Sequence, residues 1–206
     1  MGYREAGSRW YYILHPRPVY IVAASAGGRT NFMAASWVMP MSEEPPRIVL
    51  ALDKEAYTTQ LVIEAGVFTV NVLDVEQRDF IYTAGTVSGR EADKAAMLGA
   101  VFRPGEATGA PRLEHPRPLG WIEARLYRLV SDAAEDVHLA VADVAAAYAS
   151  EELFSPRYGW ELRRTRVAMH AAGRGFTTND GLLAARRLAP RGGGKQGAGR
   201  RGASPS

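Results

Sequence analysis

The 206-residue chain carries 25 Lys and Arg against 22 Asp and Glu, for a net charge of +3, and 47% of its residues are apolar, which fits one globular domain with its own core. It has no cysteine, so a disulfide framework, a thiolate metal site and a cysteine nucleophile are excluded, and no run nears the roughly 18 apolar residues of a membrane-spanning helix. The positive charge is local: Arg186, Arg187, Arg191, Lys195, Arg200 and Arg201 follow the last acid, Asp180. Residues 186–206 read as a basic, Gly/Arg-rich disordered tail, and residues 1–185 as one mildly acidic domain. That domain shows no basic, aromatic-studded face of the kind that binds nucleic acid. Its N-terminus is not a basic region followed by an apolar stretch, so the expected location is the cytoplasm, with no membrane partner.

In chain order, an aromatic cluster (Trp10, Tyr11, Tyr12) precedes a Pro-flanked start to the first strand, residues 19–25, and Gly27-Gly28 supplies the positive φ angles of a tight hairpin. Residues 30–73 form the organising stretch: a half-apolar strand, a kinked loop with paired prolines, a buried strand, a short helix and another strand. Trp37 reads equally as core or as the wall of a ligand site, and Met41 reads as core. Helices are predicted at 76–84, ended by Gly85, and at 88–98, closed by Gly99. Residues 103–118, rich in Pro and Gly, are predicted to run over the surface. Long strands are predicted at 121–130 and 137–148, as in an antiparallel barrel. The expected class is mainly β with short helices.

Thr58 and Thr59 stand where the short helix begins, at free N–H groups and a helix dipole that favour an anion. With Lys54, Ser88 and Lys94 they could grip a phosphate, and Gly89 could let the backbone approach closely. Alternatively, Thr58 is an N-cap and Lys94 a solvated helix residue. No Gly-rich dinucleotide fingerprint or P-loop is present, and Ser36 lacks a nucleophile-elbow context. His138, beside Glu135 and Asp136, is either a structural strand residue or a functional one. His15, His115 and His170 show no metal-ligand spacing, so no metal is expected.

Several segments stand in a telling order: Asn31 with Ala35-Ser36-Trp37, Pro45-Pro46, Tyr57-Thr58-Thr59, Phe68-Thr69-Val70-Asn71, Val87-Ser88-Gly89-Arg90 with Asp93-Lys94, Ile122-Glu123-Ala124-Arg125-Leu126 and Asp136-Val137-His138-Leu139. Together they resemble the flavin reductase-like family and its flavoredoxin branch. The resemblance implies an FMN-binding split barrel, antiparallel and Greek-key-like, that passes electrons from NADH or NADPH through FMN to an acceptor. It also implies that Asn31, Ala35, Ser36 and Trp37 meet the polar edge of the flavin ring. Lys54, Thr58, Thr59, Ser88, Gly89 and Lys94 are then expected at the phosphate, and His138 near the flavin or the nicotinamide, as the candidate catalytic residue. The family's open barrel implies a homodimer, and an electron-acceptor protein is a further possible partner. A non-catalytic flavin-binding protein, and a variant of the same fold binding heme or F420, are the alternatives.

Overall fold

The computed structural model describes residues 2–181; the expected tail at 186–206 lies outside the described residues. A 3₁₀ helix, Gly7–Leu14, leads into strands β1 (Arg17–Pro18), β2 (Tyr20–Ala26), β3 (Arg29–Ala35), β4 (Val38–Ser42) and β5 (Arg47–Asp53). Helix α1 (Tyr57–Ala65), β6 (Val67–Val72), α2 (Arg78–Thr86) and α3 (Lys94–Leu98) follow. The remaining strands are β7 (Val101–Pro104), β8 (Pro111–His115), β9 (Gly120–Val130), β10 (Val137–Ala149), β11 (Phe154–Ser155), β12 (Gly159–Trp160), β13 (Met169–Ala172) and β14 (Gly175–Thr177). No helix among the described residues is long and apolar enough to cross a membrane.

Seven strands form one antiparallel sheet in the order β3-β2-β6-β9-β10-β5-β4. Its two edges, β3 and β4, are neighbours in the chain, separated only by Ser36 and Trp37. Two residues reach no more than ~10 Å. The sheet must therefore curl until its edges meet at that corner, which gives the split antiparallel barrel that the sequence led one to expect. The corner is pinned where the Ala51 N–H donates to the Trp37 carbonyl at 2.9 Å.

The alternation of side chains along each strand builds two cores. Val22 and Ala24 of β2 point into the barrel, against Leu50, Leu52, Phe68 and the Leu61 and Val62 face of α1. Ile21 and Ala23 point the other way, into a second cluster with Phe32, Leu73, Ile81 of α2 and Leu113 of β8. Gly27 and Gly28 turn β2 into β3 with φ of 55° and 74°, as expected.

Several expectations are corrected. Residues 103–118 are not a surface loop: β7 and β8 make a hairpin, with Leu113 fully buried and Pro104 paired with Pro111. Their prolines sit at strand ends, where a missing N–H does no harm. Helix α2 starts two residues later than expected and runs through Gly85 to Thr86. Gly85 stands there because a Cβ would meet the Ala34 Cβ at 3.0 Å, so it lets α2 pack closely on β3. The second helix starts only at Lys94, where the Asp93 carboxylate caps it by accepting from the Ala96 N–H at 3.0 Å; Gly99 closes it at φ 63° as expected. Met41 is not core but 53% exposed, because β4 is an edge strand whose outer face nothing in the single chain covers.

Candidate functional site

The polar centre of the molecule lies beside the first half of β3. Asn31 is buried, and its Nδ2 donates to the Thr58 Oγ1 of α1 at 2.9 Å. On its other side Gly89 lies so close that a Cβ there would fall 2.3 Å from the Asn31 Oδ1. Gly89 thus does provide a close approach, and what its backbone approaches is the Asn31 amide. Lys94 reaches in from the start of α3. It is only 4% exposed, its Nζ donates to the Ala84 carbonyl at 3.0 Å and lies 5.3 Å from the Phe32 ring centroid. Burial lowers its pKa to about 8, because desolvation penalises the ammonium.

These groups wall a cavity of about 630 Å³, which Arg29, Thr30, Tyr57 and Arg90 also line. Arg90 donates to the Glu55 carbonyl at 2.7 Å and lies 5.5 Å from the Tyr57 ring centroid. Three cations therefore face one space. Of the two carboxylates that share it, Glu91 and Asp93, the second is occupied in capping α3. Lys94 has three N–H donors and one carbonyl partner, so the cavity holds donors with capacity for an oxyanion. The Gly89 cradle, the buried cation and the flanking arginines fit a phosphate group.

The sequence-predicted residues separate into those the structure gathers and those it does not. Asn31, Gly89 and Lys94 line the cavity, and Ser88 opens the turn next to it, its carbonyl accepting from the Glu91 and Ala92 N–H groups. Thr58 and Thr59 are 1% and 0% exposed, and neither is the N-cap of α1, which is Ala56. Thr58 acts through Asn31, orienting its amide, and the Thr59 Oγ1 is buried without a partner among the described residues. Lys54 is elsewhere: its Nζ donates to the Ser131 and Ala134 carbonyls at 2.9 and 2.7 Å, tying down the turn before β10.

At the far end of β3, about 10–16 Å along the chain from Asn31 at ~3.3 Å per residue, Ala34 and Ser36 line a second cavity of about 230 Å³ with Gly85, Thr86 and His170. Ala35 is buried in the barrel core, and Trp37 is 39% exposed. Trp37 is therefore not a core residue. Its indole packs edge-on to Tyr11 at 6.0 Å and lies 5.4 Å from the Arg17 guanidinium. His138 lines neither cavity. It pairs with Leu52 across β5 and β10, on the face that sends Leu52 and Ala140 into the barrel, and its Nδ1 is buried with no partner among the described residues.

Sequence reasoning assigns no site role to Arg29, Arg90, Tyr57 or His170, although Tyr57 and Arg90 stand in the segments that carry the resemblance. Arg29 directly follows the Gly27-Gly28 turn, so its place at the mouth of the β2–β3 hairpin could have been read; the others depend on tertiary packing.

A model of the flavin reductase like domain matches residues 12–168. The chain is 31% identical to the uncharacterized protein YddH of Escherichia coli (strain K12) over 152 residues, 73% of this chain and 79% of that one. It is 32% identical over 111 residues to a ferric-chelate reductase (NAD(P)H) of Archaeoglobus fulgidus, 53% of this chain and 63% of that one. Among solved structures, an FMN-binding protein from Thermus thermophilus superimposes with a TM-score of 0.77 at 23% identity, covering 90% of this chain and 99% of that one. A flavoredoxin from Methanosarcina acetivorans also gives 0.77, at 22% identity and coverages of 90% and 95%.

Proposed function

Because the chain belongs to the flavin reductase-like family, we propose that it binds FMN along β3 and carries electrons from NADH or NADPH to an acceptor. The observation that carries this reading is the Asn31–Gly89–Lys94 cavity: a buried cation with spare donors, beside a backbone that only glycine allows so close. When bound, FMN would supply the hydride and electron chemistry, and the protein's part is to hold and tune it.

Lys94 would pair with the phosphate, which would stabilise the charge that burial disfavours. Arg29 and Arg90 would add to the field that attracts a dianion. Asn31, fixed by Thr58, would present its amide between phosphate and ring. The corner at Ser36 and Trp37 would border the ring, with the backbone there supplying donors to its polar edge. His138 has no place in this scheme, since it lines neither cavity.

The same reading assigns a second copy of the chain to the large apolar cleft. That cleft, about 840 Å³, is lined by Tyr20, Met39, Trp121, Tyr148, Phe154 and Trp160, among others. Met39 and Met41 stand 58% and 53% exposed on β4 next to the corner. An apolar cleft flanked by exposed methionines is the kind of surface that a partner covers.

The test is to add FMN to the purified protein, remove unbound flavin, record the visible spectrum, and add NADH or NADPH without oxygen. Retained flavin absorbance that bleaches on addition of either nucleotide supports the reading. Retained flavin that neither nucleotide bleaches would reduce the protein to a flavin binder, and no retained flavin would overturn it. Sedimentation at micromolar concentration should show a dimer; a monomer that still holds FMN would remove the second copy.

A further inference from the structure

Beyond Ser36, the second cavity does not end at His170. Tyr82 and Phe176 line it, and the same two residues line a further cavity of about 340 Å³ whose other walls are Arg78, Asp79 and Arg174. The two spaces share Tyr82 and Phe176 as walls, and together they fall within the ~300–1,000 Å³ usual for small-molecule sites. One end borders Ser36 and Ala34; the other carries two guanidinium groups.

Arg174 is held in place without being neutralised. Its Nε donates to the Tyr82 hydroxyl at 3.3 Å, and its guanidinium lies 5.6 Å from that ring's centroid. Among the described residues it forms no ion pair, whereas Arg78 has Glu76 at 3.7 Å. Asp79 is the one carboxylate on the cavity wall, against two arginines. His170 is fixed as well: its Nε2 donates to the Gly173 carbonyl at 3.0 Å, and its ring sits 5.5 Å from Phe176. Between His170 and Arg174 the backbone is unusual, with Ala172 at φ 155° and a register shift in the β13–β14 pairing. A non-glycine residue stays in that region only where its surroundings over-determine it, and such residues cluster at functional sites.

We propose that the two cavities form one substrate pocket, which takes a flat small molecule carrying a phosphate or a carboxylate. Arg174, seconded by Arg78, holds the anion, and His170 and Phe176 flank the flat part near Ser36. The role of this molecule as the flavin's electron partner rests on the function proposed above, but its binding does not. The 2′-phosphate of a nicotinamide dinucleotide and the carboxylate of an aromatic acid offer the same chemistry to Arg174, and the experiment separates them.

Calorimetric titrations of the full chain, loaded with FMN, would compare NADP⁺ with NAD⁺ and benzoate with benzyl alcohol. The expected result is that in at least one pair the member with the extra anionic group, the 2′-phosphate of NADP⁺ or the carboxylate of benzoate, binds roughly ten- to a hundredfold tighter, the effect of one charge-assisted hydrogen bond. That advantage should vanish in Arg174→Gln while the dissociation constant for FMN is unchanged. Discrimination within the nucleotide pair identifies a 2′-phosphorylated dinucleotide; discrimination within the benzoate pair identifies an aromatic acid. No discrimination in either pair overturns the proposal, as does discrimination that survives both Arg174→Gln and Arg78→Gln. Should the protein fail to take up FMN, the flavin reading falls, and the same titrations on the flavin-free chain still decide for or against this pocket.

Discussion

Two buried charges, Glu123 on β9 and Lys94 on α3, sit in opposite kinds of surroundings. Glu123 is fully buried, and its carboxylate accepts from the N–H groups of Glu106, Ala107 and Thr108 and from the Thr108 hydroxyl, at 2.8 to 3.0 Å. Gly105 lies so close that a Cβ would clash with the same carboxylate. Desolvation pushes the Glu123 pKa up, but the bonds from Thr108 and Ala107 outweigh it, and the net shift is downward. Lys94 is nearly as buried, yet it has one carbonyl partner and a cavity in front of it. A buried charge whose partners all come from the chain serves the fold. One left with spare hydrogen-bonding capacity at a cavity wall serves a ligand.

That contrast can be broken at either end. Glu123→Ala strands three backbone donors at the tip of the β7–β8 hairpin and should cost roughly 3–5 kcal/mol. Thermal unfolding should move down by on the order of 10 °C; a shift of only a degree or two would mean that water replaces the carboxylate. Lys94→Met should do the opposite: unfolding unchanged or raised, but FMN bound roughly ten- to a hundredfold more weakly, with riboflavin unaffected. Equal weakening of both ligands would make Lys94 a packing residue.

The acidity of Lys94 sharpens the contrast further. Its folded-state value of about 8 lies below the ordinary ~10.4 of lysine. Between these values the unfolded chain holds the extra proton, so the Lys94 contribution disfavours the fold at neutral pH and relaxes as pH rises from about 8 toward ~10.4. The preference for FMN over riboflavin should fall over the same range, as the free protein loses the cation; a flat ratio from pH 7 to 10 would remove Lys94 from the phosphate. Gly89→Ala should displace Asn31 from Thr58 and weaken FMN about fivefold, close to the ~1 kcal/mol of one neutral hydrogen bond, which titration with FMN would show. Lys54→Ala should have the smallest effect, under about 1 kcal/mol of stability, with FMN affinity unchanged; a clear loss of FMN would return Lys54 to the site.

The strands that frame the site were readable because β2, β3, β5, β9 and β10 announce themselves by β-branched runs and Gly-Gly or Pro-Pro punctuation. Gly89 and Lys94 could be singled out because they stand in the Val87-Ser88-Gly89-Arg90 and Asp93-Lys94 segments that carry the family resemblance. The partners of Lys54 and Thr58 were not readable. Lys54 meets a turn some eighty positions away, and Thr58 points inward toward Asn31 because α1 starts two residues earlier than a Thr58 N-cap would require. The β7–β8 hairpin was hidden by its composition: its proline-rich strands hold because Leu113 is buried and Glu123 binds the turn, and neither fact is local.

Strand β2 has a consequence for how the molecule comes apart. Four successive residues, Ile21 to Ala24, are fully buried, sending side chains alternately into the barrel core and into the layer beneath α2, while the strand is paired on one side with β3 and on the other with β6. Neither core can open without exposing it. Amide exchange at Ile21 to Ala24 should therefore report the global unfolding free energy. Amides of the singly bordered β4, by contrast, should exchange through smaller openings that leave both cores intact.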